Sequence, residues 1–370
     1  MSVSYIPEKV KFRLWGKAAG RCQYDGCNKT LWYDSTTKAE FNSAYIAHIV
    51  ADKPNGPRGD VERSEKLCKD ISNLMLLCDV HHRMIDRDQV KAHPEEVLVK
   101  MKKRNEARME LLTSLTEEKQ SQVILYDANI GQNAAKVSME KAVYAMLPEK
   151  YPIDKMGVEL SFNNSTFRDN ESIYWTIEKE NLRRQFSLKV IPQIEAGINH
   201  FSVFALAPQP LLIELGRLLS DIQVADVYQL HREPADWKWQ EGPENFVYKI
   251  IEPLVDSNTV ALNISLSGPI ENSKIHEVLG EKVAIWTLTI DNMNTDFLKS
   301  QEQLKLFREV FRQLMNKIKL KHGHKNIIHL FPAAPVSVAV EIGRVWMPKA
   351  DLPLKVYDEN KVFSFALNIE

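Results

Sequence analysis

One motif occurs twice in this chain, and it constrains the fold more than any other feature. FALAPQPLLIELGR (204–217) and FPAAPVSVAVEIGR (331–344) align at a constant offset. Both read Phe-x-x-Ala-Pro, five residues, then Glu-[Leu/Ile]-Gly-Arg, and both follow an apolar, strand-like run. A strand leading through a proline-containing turn into a helix is thus built twice. Around the copies, apolar runs (GVELSF, FSVFAL, VALNISLS, VAIWTLTI, NIIHLF, VFSFALNI) alternate with helical patterns (LRRQFSLKVI, LLIELGRLL, FLKSQEQLKLFREVFRQLMNKIKL, VSVAVEIGRVW). The alternation predicts an α/β domain. Duplicated halves can face each other across a pseudo-two-fold axis. Ligands in open α/β sheets bind beyond the strand C-terminal ends, where helix N-termini offer N–H groups to anions. Such a pocket suits a ligand with two similar phosphates. The plainer reading is that Pro and Gly shape the turns while Glu and Arg pair locally.

The N-terminal part differs. It is rich in Cys, His, Gly and turn residues, and the four cysteines all precede residue 80. Cysteines crowded into one region point to metal before crosslinks. Cys22-x4-Cys27 and Cys78-x2-His81 can supply four soft ligands on two turns, a closed structural zinc site. Buried free thiols are the alternative, and Cys68 fits no pair. His48 falls near the end of the strand-like AYIAHIV, Asn73 precedes a second apolar run, and His82 opens a helical stretch. Phosphodiester hydrolysis needs a base, a divalent cation and a group that positions the base. A histidine near neutrality can be the base, a second can ligate the cation, and an amide can hold the loop.

These residues carry a resemblance. AHI (47–49), NGPRGD (55–60) and NLMLLCDVHHRMID (73–86) follow the order found in HNH (ββα-metal) nucleases, and the segment over about residues 10–110 resembles that family. The resemblance implies an α+β zinc-stabilised ββα-metal domain with His48 as general base, Asn73 as the central Asn, and His82 as second catalytic histidine and ligand of Mg2+ or Mn2+. Cys22, Cys27, Cys78 and His81 become the zinc set. One departure stands out: many relatives carry an acidic residue or His before the first catalytic His, and this chain has Ala47. Asp52, Asp60 or substrate phosphate is left to complete the cation. Arg58 is read either as a phosphate contact or as a partner of Asp60. Lys11, Arg13, Lys17 and Arg21 form either a DNA-backbone patch or a solvated helix face. The formal net charge of −1 excludes a general polycation, so a nucleic-acid surface must be local.

The C-terminal 220 residues resemble a SAVED domain, a pair of fused CARF-like Rossmann halves that senses cyclic oligonucleotides in bacterial anti-phage (CBASS) defence. The duplicated motif and HREPADWKWQ (231–240) carry this. The resemblance implies a cyclic dinucleotide of the cGAMP type as activator, duplex DNA as substrate, and a homodimer that assembles further on binding. Trp237 and Trp239, beside His231 and Arg232, are read as an aromatic platform plus cations for a base and a phosphate, or the tryptophans as core. Ala207, Phe331, Pro332 and Ala333 at the repeat turns are read as backbone approaching the ligand. The expected organisation is an HNH domain over 1–120, ending in one long helix from Pro94, a connector over 121–150, and the SAVED domain over 151–370. Met1 to Val10 does not read as a secretion signal, which makes the cytoplasm the default. Two rivals remain: a restriction enzyme reading modified DNA, and a nucleotide-responsive DNA-binding regulator with an inactive HNH module.

Overall fold

A computed structural model describes residues 5–34, 36–131, 136–161 and 167–370. Residues 1–4 of the leader reading, 132–135 of the expected connector and 162 of GVELSF lie outside the described residues. The chain divides into two compact units, Met1–Thr116 and Glu117–Glu370.

The first unit runs α1 (Glu8–Lys17), β1 (Ala44–His48), α2 (Ser64–Leu67), β2 (Leu74–Cys78), α3 (Asp79–Arg83) and α4 (Glu95–Thr113). β1 and β2 are antiparallel, with Ala44 opposite Cys78 and His48 opposite Leu74. Every residue of β2 is buried, so its run of apolar side chains packs on both faces. Beyond α3 the chain continues in a wider π-type turn, Met84–Asp88, a departure that redirects side chains and is common at functional sites. The helix expected after Pro94 is present. It buries Leu98, Met101, Lys102, Asn105 and Met109, a spacing of three and four that puts them on one face.

The second unit contains two copies of one design. The first comprises β3 (Gln120–Asp127), α5 (Met139–Met146), β4 (Tyr151–Pro152), β5 (Val158–Glu159), α6 (Ser172–Lys189), α7 (Ile191–Glu195), β6 (Phe201–Leu206), α8 (Gln209–Leu219) and β7 (Ala225–Val227). After β8 (Lys249–Ile251), the second comprises β9 (Val260–Ser265), α9 (Asn272–Leu279), β10 (Ala284–Thr289), α10 (Gln301–His322), β11 (Ile328–Ala333), α11 (Val336–Val345), β12 (Leu354–Asn360) and β13 (Val362–Ile369). One sheet runs β4-β3-β6-β7 with β5 on β3; the other runs β13-β12-β11-β9-β10-β8. β8 and β13 pair antiparallel with their neighbours, and the other pairings are parallel. In each copy the first strand lies between the second and the third. This is the doubly wound order in which the connections reverse between strands one and three, and ligands bind at that switch.

This assignment moves a boundary. Residues 121–150 were expected to be a connector, but β3 is central to the first sheet and α5 buries Ala142, Ala145 and Met146. The segment is the first strand and first helix of the first half.

The two halves are fastened by α8 and α11. Their repeat glycines, Gly216 and Gly343, lie where the helix backbones touch. The repeat acids and arginines are structural. Glu214 binds Arg217 at 2.7 Å and Arg183 at 2.6 Å, and Glu341 binds Arg344 at 2.8 Å and Arg308 at 3.2 Å. Arg344 also donates to the carbonyls of Ser220, Gln223 and Ala225. These extra bonds to the Arg344 guanidinium offset part of the cost of burying the pair.

Candidate functional site

In the first unit, Cys22, Cys27, Cys78 and His81 converge, with their ligand atoms all within 4.8 Å of one another. His81 Nδ1 is 3.2 Å from Cys78 Sγ and 3.6 Å from Cys22 Sγ. Tetrahedral zinc with sulfur and nitrogen ligands gives edges of roughly 3.5–3.8 Å, so the donor set fits the ion. Tyr24 stacks on His81, ring centroids 4.0 Å apart and 3° from parallel, which fixes the imidazole. Burial, and the neighbouring thiols Cys78 and Cys27, push the Cys22 thiol up to about 12, against the lowering effect of backbone N–H groups. A bound dication would supply the charge that a thiolate needs here.

A cavity of about 210 Å³ is lined by His48, Asp52, His82 and Asp86, with Ile46, Ala47 and neighbours. His48 ends β1, and its Nε2 is 2.9 Å from the Cys68 carbonyl. A carbonyl only accepts, so Nε2 carries the proton and Nδ1 is left as the basic nitrogen. Asn73 clamps the following loop, accepting from Val50 N at 2.7 Å and donating to Val50 O at 2.8 Å. His82 stacks on Tyr45 at 4.9 Å, and its Nε2 is 3.4 Å from Asp86 Oδ2. Desolvation holds the His82 pKa below the usual imidazole value despite the Asp86 charge.

Three sequence readings change. Arg58 pairs with neither a free surface nor Asp60. Its guanidinium donates to Ile49 O at 2.7 Å, Ile85 O at 2.7 Å and Asp86 Oδ1 at 2.7 Å, so it fastens the loop after β1 to the turn after α3. Asp60 caps its own turn and pairs with Arg63, which removes it from the cavity. Asp86, quoted only as the end of a motif, lines the cavity beside His82. The basic patch is partly neutralised, because Lys11 pairs with Glu8 and Lys17 with Glu106.

In the second unit, a cavity of about 550 Å³ is lined by Leu206 and Gln209 at the end of β6 and start of α8, and by Ala334, Pro335 and Val336 between β11 and α11. Both repeat turns therefore meet at one hollow, at the switch points of the two sheets. Gln229, His231 and Arg232 form another part of its wall. Gln209 Oε1 accepts the Ala334 N–H at 3.0 Å, and Gln229 Oε1 accepts the Ser337 hydroxyl at 2.8 Å, so two glutamines of the first half hold the turn of the second.

Of the seven residues read as ligand contacts, only Arg232 lines this cavity. Trp237 is 3% exposed and packs edge-on against Phe204 at 5.4 Å, so it is core, not a platform. Trp239 is half-buried, with its ring 5.8 Å from that of His231. Phe331 stacks on Tyr357 at 4.6 Å, inside a separate apolar cluster. Pro332 is buried in β11, Ala333 O accepts from Leu266 and Ser267 N–H, and Ala207 is buried in the main core. The turns do approach the cavity, but through the residues beside those named. His231, read beside Arg232 as a second cation, also lines the cavity.

Two doubly wound halves joined about a shared hollow define a duplicated Rossmann-type α/β architecture. The family model of the SMODS-associated and fused to various effectors sensor domain, SAVED, matches residues 182–369, and the chain belongs to this family. None of the curated proteins compared matches it. The Acinetobacter baumannii Cap4 SAVED/CARF-domain containing receptor with the cyclic trinucleotide 2'3'3'-cAAA aligns with a TM-score of 0.42 and 14% identity, covering 84% of this chain and 66% of that one. The same receptor with 3'3'3'-cAAA gives 0.41, 13%, 76% and 60%. The Moraxella osloensis Cap4 receptor gives 0.38, 11%, 75% and 59%. The chain spans 66% or less of the length of these structures. Among the described residues, no helix is long and apolar enough to cross a membrane.

Proposed function

We propose that the chain is a signal-gated effector: a cyclic oligonucleotide binds the cavity of the SAVED unit and switches on a metal-dependent, HNH-type DNA endonuclease in the first unit. The observation that carries this reading is that His48 and His82, far apart in sequence, line one cavity with two carboxylates while Asn73 clamps the loop beyond His48. The family description supports the other half, since it names a sensor domain fused to effectors.

In this reading His48 takes a proton from the attacking water at Nδ1, with Nε2 anchored on the Cys68 carbonyl. His82 and Asp86 hold a hard dication, Mg2+ or Mn2+, with Asp52 beside them. Their fit rests on the 3.4 Å between His82 Nε2 and Asp86 Oδ2, which lets an imidazole nitrogen and a carboxylate oxygen share one ion. When bound, such an ion stabilises charge on the phosphate and the leaving oxygen. The zinc set is structural, because four protein ligands leave no open position.

The test uses the full chain with supercoiled plasmid, Mg2+ or Mn2+, and a panel of cyclic dinucleotides, including cGAMP isomers, and cyclic tri-adenylates. Cleavage that requires both metal and one of these ligands, and disappears in His48→Ala, is the expected result. Cleavage that ignores every ligand and follows DNA modification selects the restriction reading. Tight DNA binding without cleavage selects the regulator.

A further inference from the structure

His231 is 1% exposed, lines the cavity of the SAVED unit, and has no hydrogen-bond partner on either ring nitrogen among the described residues. Buried imidazoles without partners are rare, because each unmet polar atom is costly. The Trp239 indole N–H, whose ring meets His231 edge-on, is likewise buried and unpartnered. His231 Nδ1 faces Asp296 Oδ1 at 3.9 Å, beyond hydrogen-bond length. Asp296 is itself engaged by Lys299 at 2.6 Å and by the Arg232 N–H at 3.1 Å. The backbone N–H of His231 donates to the backbone carbonyl of Asp236 at 2.8 Å, which leaves the ring free.

A carboxylate opposite Nδ1 favours the tautomer with its proton there. Nε2 then offers a lone pair in a desolvated wall. Desolvation, then Lys299, lower the His231 pKa against the opposing pull of Asp296 and Asp236, so the ring is neutral at neutral pH and does not serve as a phosphate-binding cation. The nearby cation at the cavity wall is Arg232, which is exposed.

We infer that His231 reads the base of the bound cyclic oligonucleotide, its Nε2 accepting a hydrogen bond from the exocyclic amine of a purine. This deepens the ligand site proposed above and rests on that reading. A site built around an acceptor rejects an analogue without the donor more strongly than it rejects a change of size, because its buried polar atom stays unpaired.

The test measures binding to the full chain by calorimetry. The probes are the cyclic guanylate–adenylate dimer, a cyclic tri-adenylate, and their counterparts in which purine riboside replaces adenosine or inosine replaces guanosine. Wild type is expected to bind the amine-bearing form about tenfold or more tightly than at least one amine-deleted counterpart. His231→Phe, which keeps an aromatic ring against Trp239, is expected to bind the two forms equally. The wild-type comparison stands alone if the variant does not fold. Equal binding of amine-bearing and amine-deleted ligands by wild type, or unchanged discrimination in a folded His231→Phe, overturns the inference and leaves the pocket assignment standing. Absence of binding to every probe overturns the pocket assignment itself, and the inference with it.

Discussion

Gly216 and Gly343 occupy mirror positions in the crossing of α8 and α11: a Cβ on Gly216 would lie 1.9 Å from Val340 O, and one on Gly343 would lie 1.8 Å from Ile213 O. The contact is reciprocal, since the next atoms met are Arg344 N and Arg217 N. The repeated Glu-[Leu/Ile]-Gly-Arg is thus the seam of a pseudo-two-fold, with glycine as the residue that lets the backbones touch. Gly343→Ala must push the helices apart. The expected cost is about 3 kcal/mol, the upper range for overpacking a tight core, seen as a lower Tm for the α/β unit by calorimetry. An unchanged transition would show that the seam is softer than its geometry.

The zinc set makes a separate prediction. Purified chain is expected to contain one zinc per molecule by mass spectrometry. Cys78→Ser or prolonged chelation is expected to unfold the Met1–Thr116 unit, because structural zinc contributes about 10 kcal/mol or more of apparent folding free energy at neutral pH. The near-UV signal of Tyr24, stacked on His81, should fall with the metal. A zinc-free chain with native near-UV circular dichroism speaks against the site.

Much of this was legible because periodicity survives in the apolar runs. FSVFAL is β6, VFSFALNI is β13, and the Pro94 stretch is α4. The paired turns located the cavity because their offset repeats in three dimensions. What failed was facing. Trp237 and Arg232 share one short segment, yet Trp237 turns into the cluster around Phe204 and Tyr228, while Arg232 reaches the cavity. No local pattern distinguishes the two, because a short segment without regular structure has no period. β12 was missed because Lys355, Asp358 and Glu359 interrupt its apolar alternation, and the supposed connector was missed because a single strand has no visible partner until a sheet forms around it. Asp86 carried a signal, its place at the end of HRMID, but only the turn after α3 aims it at His82.

Arg58 supplies the third prediction, for the proposed nuclease. Its guanidinium ties Ile49, Ile85 and Asp86 together with three bonds of 2.7 Å, a fork that an ammonium cannot reproduce. Arg58→Lys is expected to lower ligand-activated cleavage about 10–100-fold, the usual effect of losing the group that orients a metal ligand. Raised metal concentration should recover part of the loss. His48→Ala should lose about 10²–10⁴-fold with no recovery by metal. A shared response to metal in the two variants would remove the distinction between a positioning residue and the base.

Asp358 gives a pH test free of any ligand. Burial pushes its carboxyl up to about 7, with the charges of Asp169 and Glu359 adding to it. An aspartate in the unfolded chain titrates near 3.9. Between those values the folded state holds a proton that the unfolded state has released, so this residue makes stability fall as pH rises from about 4 to about 7, with the full penalty above. Asp358→Asn removes the ionisable group and keeps the shape. It is expected to stabilise the α/β unit at pH 8 by up to about 4 kcal/mol before solvent screening reduces it, read as a higher Tm, and to leave Tm nearly unchanged at pH 4. No gain at pH 8 would mean that the carboxylate is solvated and that the Asp169–Asp358 neighbourhood stores no charge repulsion, and equal gains at both pH values would mean that the gain does not come from ionisation.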